Sequence, residues 1–132
     1  MERAKHFKET RIQRQKEIAE DYTEMIADLI ESKAKARVCD IAKQMGISHV
    51  SVLKTIKKLI RDGYLVKGIH PLIELTEKGK STAVFSKKKH LVLYEFLLKL
   101  GIPEDIVAID VEGIEHHISP ETLQAIESLN SA

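Results

Sequence analysis

The sequence predicts a mainly α-helical fold with a small β wing, in which an N-terminal winged helix-turn-helix is followed by a helical domain. Apolar residues recur at spacings of three and four along most of the chain, which is typical of amphipathic helices. Two short β-prone runs, at residues 64–66 and 72–75, are the exception. The 132 residues are 43% hydrophobic and 31% charged, which suits one compact domain or two small ones. We divide them into residues 1–77 and 78–132.

The composition argues against several classes of protein. The single cysteine, Cys39, cannot form a disulfide framework within one chain, and we expect it to be a small buried or capping residue. The most apolar stretch, residues 91–102, is interrupted by Glu95 and Lys99, so no membrane span is expected. The N-terminus is polar and lacks the apolar segment that a secretory signal peptide needs. We therefore expect a cytoplasmic protein that has no membrane partner.

The first helix is predicted from about Glu17 to Glu31. Its apolar residues recur on one side and are Ile18, Tyr22, Met25, Ile26, Leu29 and Ile30. The preceding 16 residues carry six lysines and arginines, with Phe7 and Ile12 as the large apolar side chains. We interpret this segment as a mobile basic arm.

A helix-turn-helix and a hairpin are predicted next. The second helix is short and ends at Gly46, since glycine is typical of helix C-termini. Ser48 can cap a third helix, which ends at Asp62 and Gly63. The two β-prone runs then form a hairpin. Helix, short helix, turn, helix and two-stranded ribbon follow one another in the order of a winged helix-turn-helix.

In such a fold the third helix enters the major groove of double-stranded DNA. Side chains of its first turn meet base edges, while its lysines suit phosphates and the tip of the wing contacts the backbone beside the groove. The candidate DNA-binding residues are His49, Ser51, Lys54, Thr55, Lys57, Lys58, Lys67 and His70. The lysines of the third helix also fit an ordinary solvated helix face.

The net charge of +1 conceals two halves of opposite sign. Residues 1–90 carry 20 of the 21 lysines and arginines and 12 of the 20 acidic residues, a net charge of +8. Residues 91–132 carry Lys99 against eight acidic residues, a net charge of −7. This asymmetry favours a basic surface for a polyanion and an acidic part with another task.

Three more helices are predicted after the wing. Thr76 can cap a long helix that reaches about Leu100. Pro103 opens the next helix, which we expect to continue to about His117, and Ser119 and Pro120 open the last one. These helices carry more apolar surface than a chain of this size needs for itself, which suggests a dimer.

The acidic half contains a cluster with metal-ligand chemistry. Glu112, Glu115 and His116 stand at positions i, i+3 and i+4, so we expect all three on one face of a helix. Two carboxylates and an imidazole without a thiol form a set that Mn²⁺ or Fe²⁺ accepts. The cluster is equally compatible with a solvated acidic end of a helix. Asp21 and Glu24, three residues apart in the first helix, would be unremarkable by themselves.

Catalytic motifs are not found. The sequence has no His-Glu-x-x-His zinc motif, no glycine-rich phosphate loop and no Gly-x-Ser-x-Gly nucleophile motif. A small di-metal hydrolase or oxidase that uses the same carboxylates is the alternative from the enzyme class. A helical dimerisation module with an incidental acidic face is a third alternative. We expect neither an enzyme nor a small organic substrate.

The sequence resembles the diphtheria-toxin-repressor family of metal-dependent regulators, and within it the manganese transport regulator branch. The resemblance spans about residues 18–126. It rests on Asp21-Tyr22-x-Glu24, Arg37-Val38-x-Asp40-Ile41-Ala42, Ser51-Val52-x-Lys54, Leu75-Thr76-x-x-Gly79, His90 and Asp110-Val111-Glu112-Gly113-Ile114-Glu115-His116-His117.

The resemblance implies a repressor of metal-uptake genes that binds operator DNA as a homodimer. It makes residues 78–132 a helical dimerisation and metal-binding domain. It also implies two Mn²⁺ ions per subunit, with Fe²⁺ as a possible substitute. The implied metal ligands are Asp21, Glu24, His90, Glu112, Glu115 and His116. Asp21 and Glu112 replace a methionine and a cysteine of the iron-responsive branch, which favours manganese; an iron-responsive regulator of the same architecture is the alternative.

Overall fold

Six helices and three short strands form the part of the chain that the computed structural model describes, residues 2–67, 69 and 72–132. The helices are α1 (Glu2–Lys33), α2 (Val38–Met45), α3 (His49–Arg61), α4 (Glu77–Lys99), α5 (Glu104–Ile114) and α6 (Pro120–Asn130). The strands are β1 (Ala36–Arg37), β2 (Leu65–Lys67) and β3 (Leu72–Leu75). The predicted mainly α-helical fold with a small β wing is confirmed. None of these helices is long and apolar enough to cross a membrane.

The chain forms two compact units. We call them the N-terminal unit, up to Val84, and the C-terminal unit, from Phe85 onward. Helix α4 begins in the first and ends in the second.

The core of the N-terminal unit is built from three helices and three strands. Apolar side chains of α1, α2, α3 and the three strands form one buried cluster. Its members are Ala19, Tyr22, Ile26, Leu29, Ala36, Val38, Ile41, Val52, Ile56, Leu59, Leu65 and Ile73. The members from α2 are Val38 and Ile41, and those from α3 are Val52, Ile56 and Leu59, so spacings of three and four mark the buried faces of both helices.

Helix α1 is twice as long as predicted. Residues 2–16, which we expected to be a mobile arm, are helical and continuous with the rest of α1. Neither proline nor glycine occurs between Glu2 and Lys33, and the arm is rich in arginine, lysine, glutamate and glutamine, which favour helix. The apolar periodicity starts only near Ile18, because the buried part of α1 begins at Ala19.

The sheet contains one strand that was not predicted. β3 pairs antiparallel with β2, as expected for the hairpin, and also with β1, so the order is β1-β3-β2. Because β1 is only two residues long, it shows no alternation of apolar and polar residues by which it could be predicted. β1 joins the wing to the segment between α1 and α2, and Ala36 of β1 lies in the core.

The two helix ends that define the turn between α2 and α3 agree with prediction. Gly46 ends α2 with a left-handed φ of 68°, and Ser48 caps α3 by accepting a hydrogen bond from the Ser51 amide. Cys39 differs from prediction, since it is exposed in the first turn of α2. The spacing of α2 places its neighbours Val38 and Ile41, rather than Cys39, on the buried face.

The start of α4 is fixed against the loop that precedes the wing. The Thr76 hydroxyl accepts a hydrogen bond from the Gly79 amide, and the same hydroxyl lies 2.6 Å from the Gly63 carbonyl oxygen. A Cβ atom at Gly79 would lie 2.1 Å from the carbonyl oxygen of Tyr64. Only glycine fits there, because the backbones of α4 and the loop are in contact.

The C-terminal unit has its own small core. Val92, Leu93, Leu97, Val107, Val111 and Leu123 form a buried cluster that joins α4, α5 and α6. Ser119 caps α6 as predicted, with Pro120 in its first turn. Helix α5 ends at Ile114, three residues earlier than predicted.

Candidate metal centre and nucleic-acid interface

A metal-ligand cluster inside the C-terminal unit joins α4 to the end of α5. His90 Nδ1 lies 2.9 Å from Glu115 Oε2. His90, Glu112 and Glu115 each offer a ligand atom within 4.8 Å of the others. The cluster brings together two carboxylates and one imidazole, a donor set that Mn²⁺ and Fe²⁺ accept.

The Glu115 carboxyl is buried, and its surroundings shift its pKa. Its side chain is only 4% exposed. Burial raises the pKa of Glu115, the hydrogen bond with His90 opposes that effect, and the nearby Glu112 carboxylate raises the pKa further. Two carboxylates held this close favour a cation between them, so the donor set fits a divalent metal ion.

His116 lies beside the same carboxylate but outside the helix. Its Nε2 atom is 3.5 Å from Glu115 Oε1, and its side chain is 7% exposed. We expected Glu112, Glu115 and His116 on one face of a helix that continued to His117. Since α5 ends at Ile114, Glu115 is the C-cap residue and His116 follows in a turn. Gly113 in the last turn has low helix propensity, which weakens the helix at this point.

The other two predicted ligands belong to the N-terminal unit. Asp21 and Glu24 lie one turn apart on α1, where Asp21 is exposed and Glu24 is half-buried. Both flank core residues of the unit, and Tyr22 between them is buried.

Helix α3 exposes the predicted DNA-binding side chains. His49, Ser51, Lys54, Lys57 and Lys58 are exposed and Thr55 is half-buried, while the opposite face of the helix lies in the core. The Ser51 hydroxyl accepts a hydrogen bond from the Ser48 hydroxyl. The capping arrangement therefore fixes the first turn of α3.

Two apolar side chains next to this face escaped the sequence prediction. Val50 is 62% exposed, and Ile47 in the turn is 42% exposed. Val50 falls outside the buried rows of α3, so its phase in the helix could have indicated it. Exposed apolar side chains at the start of a recognition helix can contact thymine methyl groups.

The wing contributes one described candidate. Lys67 ends β2 and is exposed. His70, the other predicted contact of the wing, lies outside the described residues.

Two family models cover most of the chain. The DNA-binding domain of the iron-dependent repressors matches residues 16–68, and their metal-binding and dimerisation domain matches residues 76–131.

Curated relatives match over nearly the full length. The chain is 36% identical to the transcriptional regulator MntR of Escherichia coli O157:H7 over 124 residues, 94% of this chain and 80% of that protein. It is 41% identical to the HTH-type transcriptional regulator MntR of Bacillus subtilis (strain 168) over 110 residues, 83% of this chain and 78% of that protein.

Solved structures share the fold. A manganese-dependent transcriptional repressor in complex with manganese has a TM-score of 0.76 and 28% identity, over 86% of this chain and 52% of that one. The manganese regulator SloR has a TM-score of 0.74 and 28% identity, over 84% of this chain and 52% of that one. The chain spans about half the length of these solved proteins. It belongs to the diphtheria-toxin-repressor family of metal-dependent transcriptional regulators, in the MntR branch, and this is a family of repressors and not of enzymes.

Proposed function

We propose that this protein is a manganese-responsive repressor that binds operator DNA as a homodimer in the cytoplasm and controls metal-uptake genes. The observation that carries the proposal is the cluster of His90, Glu112 and Glu115 in a chain whose other unit exposes a cationic recognition helix. The names of the relatives, MntR and manganese-dependent repressor, support manganese as the effector.

The proposed site holds two Mn²⁺ ions per subunit. Its ligands are Asp21, Glu24, His90, Glu112, Glu115 and His116. The ions would supply positive charge that offsets the negative charges of the carboxylates. The donor set contains oxygen and imidazole nitrogen and no thiolate, which suits Mn²⁺, with Fe²⁺ as the alternative effector.

The site couples metal binding to DNA binding because its ligands come from both units. Asp21 and Glu24 belong to the unit that carries α3, whereas the other four ligands belong to the C-terminal unit. Without a cation the carboxylates repel one another. With it, the ligands hold the units in one arrangement and fix the spacing of two recognition helices in a dimer. Since operator half-sites lie a fixed distance apart, this raises the affinity for DNA.

A duplex selected from a randomised 40-base-pair pool in the presence of Mn²⁺ provides the test. We expect Mn²⁺ to tighten binding to this duplex by well over tenfold, measured by a gel-shift titration against a chelator control. Parallel titrations with Fe²⁺ and Zn²⁺ rank the effectors. Equal affinity with Mn²⁺ and with chelator would refute the proposed switch.

The homodimer is proposed to form through apolar side chains of the C-terminal unit. Ile109 is 70% exposed and Leu91 is 60% exposed. Ile106, Ile109 and Gly113 lie on one stripe of α5, and the glycine leaves room for close approach of another helix. An exposed apolar stripe of this kind is typical of an interface between subunits.

A further inference from the structure

The N-terminal half of α1, residues 2–16, is a basic helix. It contains none of the residues that are proposed to contact DNA. It carries six cations against two carboxylates, Glu2 and Glu9, a net charge of +4. The cations are Arg3, Lys5, Lys8, Arg11, Arg14 and Lys16, and all six are exposed. The match to the DNA-binding domain of the family starts only at residue 16, so this segment lies almost entirely outside it.

The C-terminal end of this basic segment lies beside α3. A crevice of about 70 Å³ lies between α1 and α3 and is lined by Gln15 and Ile18 on one side and by Thr55, Lys58 and Arg61 on the other. Thr55 and Lys58 are candidate DNA contacts. The basic half of α1 therefore continues directly from the surface that faces the major groove.

The pattern of apolar residues argues against a membrane or a helical partner for this segment. Phe7 and Ile12 are its large apolar side chains, and both are exposed. Five residues apart, they point about 140° away from each other around the helix. A helix that lies on a lipid surface or packs in a coiled coil needs a continuous apolar stripe, which these two residues do not form.

We propose that the basic half of α1 binds the phosphate backbone of DNA that flanks each operator half-site. This inference rests on the proposed function and adds a second contact to it. The charge complements phosphate, and the contact is continuous with the surface proposed for α3. The contact would increase affinity without reading sequence, because phosphates carry no base information.

The length of the segment sets the extent of the contact. Fifteen residues of α-helix span about 22 Å, and DNA rises about 3.4 Å for each base pair. The segment can therefore reach phosphates up to about six base pairs beyond the half-site. Each phosphate contact should contribute about 0.9 to the slope of the logarithm of affinity against the logarithm of salt concentration.

The test uses the full chain with Mn²⁺ and the selected duplex in two lengths. One duplex is trimmed to the selected palindrome, and the other carries eight further base pairs on each side. We expect the wild-type protein to bind the longer duplex at least tenfold more tightly in about 0.1 M salt. In the variant with Arg3→Gln, Lys5→Gln, Lys8→Gln and Arg11→Gln, this preference should disappear and the salt slope should become shallower. Glutamine keeps a helix propensity close to that of lysine and arginine.

A charge-conserving variant is the matched control. Arg3→Lys with Arg11→Lys should keep the preference for the longer duplex, since the contact depends on charge. Binding of the wild-type protein to the trimmed duplex reports the proposed function separately. If that binding is present and the two lengths bind equally, the flanking contact is refuted while the proposed function stands. If neither duplex binds, both are refuted.

Two other outcomes would also overturn the inference. In one, the wild-type protein sediments with phosphatidylglycerol vesicles and the fourfold glutamine variant does not, while the variant keeps the wild-type preference for the longer duplex. The other is conversion of a dimer to a monomer in the same variant, which would assign the segment to subunit contact.

Discussion

Glu112 and Glu115 stand three residues apart but occupy different surroundings. Glu115 is buried, whereas Glu112 is exposed. Removing Glu115 would leave His90 without the carboxylate 2.9 Å away, so any effect would combine metal binding with local structure. Glu112 is therefore the better position at which to test the metal site by itself.

The Glu112→Ala variant should lose its response to Mn²⁺ and keep its dimer. The substitution removes one proposed ligand charge from an exposed position, so the free energy of unfolding should change by less than about 0.5 kcal/mol. Calorimetric titration with Mn²⁺ measures the loss, and sedimentation measures the dimer. Glu121→Ala, an exposed glutamate in the first turn of α6, is the control. A normal titration of the Glu112 variant would exclude Glu112 as a ligand.

Lys54→Ala should weaken binding of Mn²⁺-loaded protein to the selected duplex and flatten its salt dependence. If Lys54 meets a phosphate, the slope should fall by about 0.9 for each recognition helix bound. Gel-shift titrations at several salt concentrations measure this slope. Lys33 is an exposed lysine at the C-terminal end of α1, and the control variant Lys33→Ala should leave the salt slope unchanged. An unaltered slope for the Lys54 variant would argue against that contact.

Sequence reasoning could find part of the metal cluster and not the rest. The spacing of Glu112, Glu115 and His116 is local, so it stands out in the sequence. His90 lies 25 residues before Glu115, and only folding brings the two together. The geometry at the end of α5 also differs from the prediction, because Glu115 caps the helix and His116 leaves it.

The start of helix α4 depends on Gly79 for its close contact with the loop after α3. Its first turn is packed against the Tyr64 carbonyl at Gly79, and Lys78 Nζ lies 4.2 Å from the centre of the Tyr64 ring. Lys78 also donates a hydrogen bond to the Asp62 carbonyl oxygen. The first turn of α4 is thereby held against the end of α3.

Gly79→Ala should destabilise the N-terminal unit by about 1–3 kcal/mol, because the added methyl group meets backbone that cannot move freely. Thermal unfolding followed by circular dichroism measures the effect. Ser81→Ala, at an exposed position of the same helix, is the control and should not destabilise the protein. Equal melting temperatures for wild type and the Gly79 variant would show that the loop moves to accommodate the methyl group.

Most elements could be predicted because their ends carry local signals. Gly46, Ser48 and Ser119 mark helix ends by their own chemistry. The first half of α1 lacks such a signal, since its residues face solvent and show no apolar period. Strand β1 is defined by its pairing with Ile73 and Leu72 of β3, which the two residues of the strand do not encode locally.

The oligomeric state of the whole molecule tests the exposed apolar stripe of α5 as the proposed dimer interface. Ile109→Glu should convert the dimer to a monomer, because the new carboxylate would have to be buried in an apolar interface. Analytical ultracentrifugation measures the change. Ile69→Glu is the matched control, since Ile69 is 85% exposed on the wing of the other unit and should leave the dimer intact. A dimeric Ile109 variant would place the interface elsewhere.

Cys39 offers a way to observe the metal switch directly. It is the single sulfhydryl of each protomer and is exposed on α2, beside the recognition helix α3. A nitroxide spin label attached there would report the separation of the two helix-turn-helix motifs of a dimer without any engineered cysteine. We expect dipolar spectroscopy to give a broad distribution of distances with a chelator. When a diamagnetic substitute for Mn²⁺ such as Cd²⁺ is added, the distance distribution should narrow to a single peak. A distribution as broad as that with the chelator would contradict the proposed ordering of the dimer.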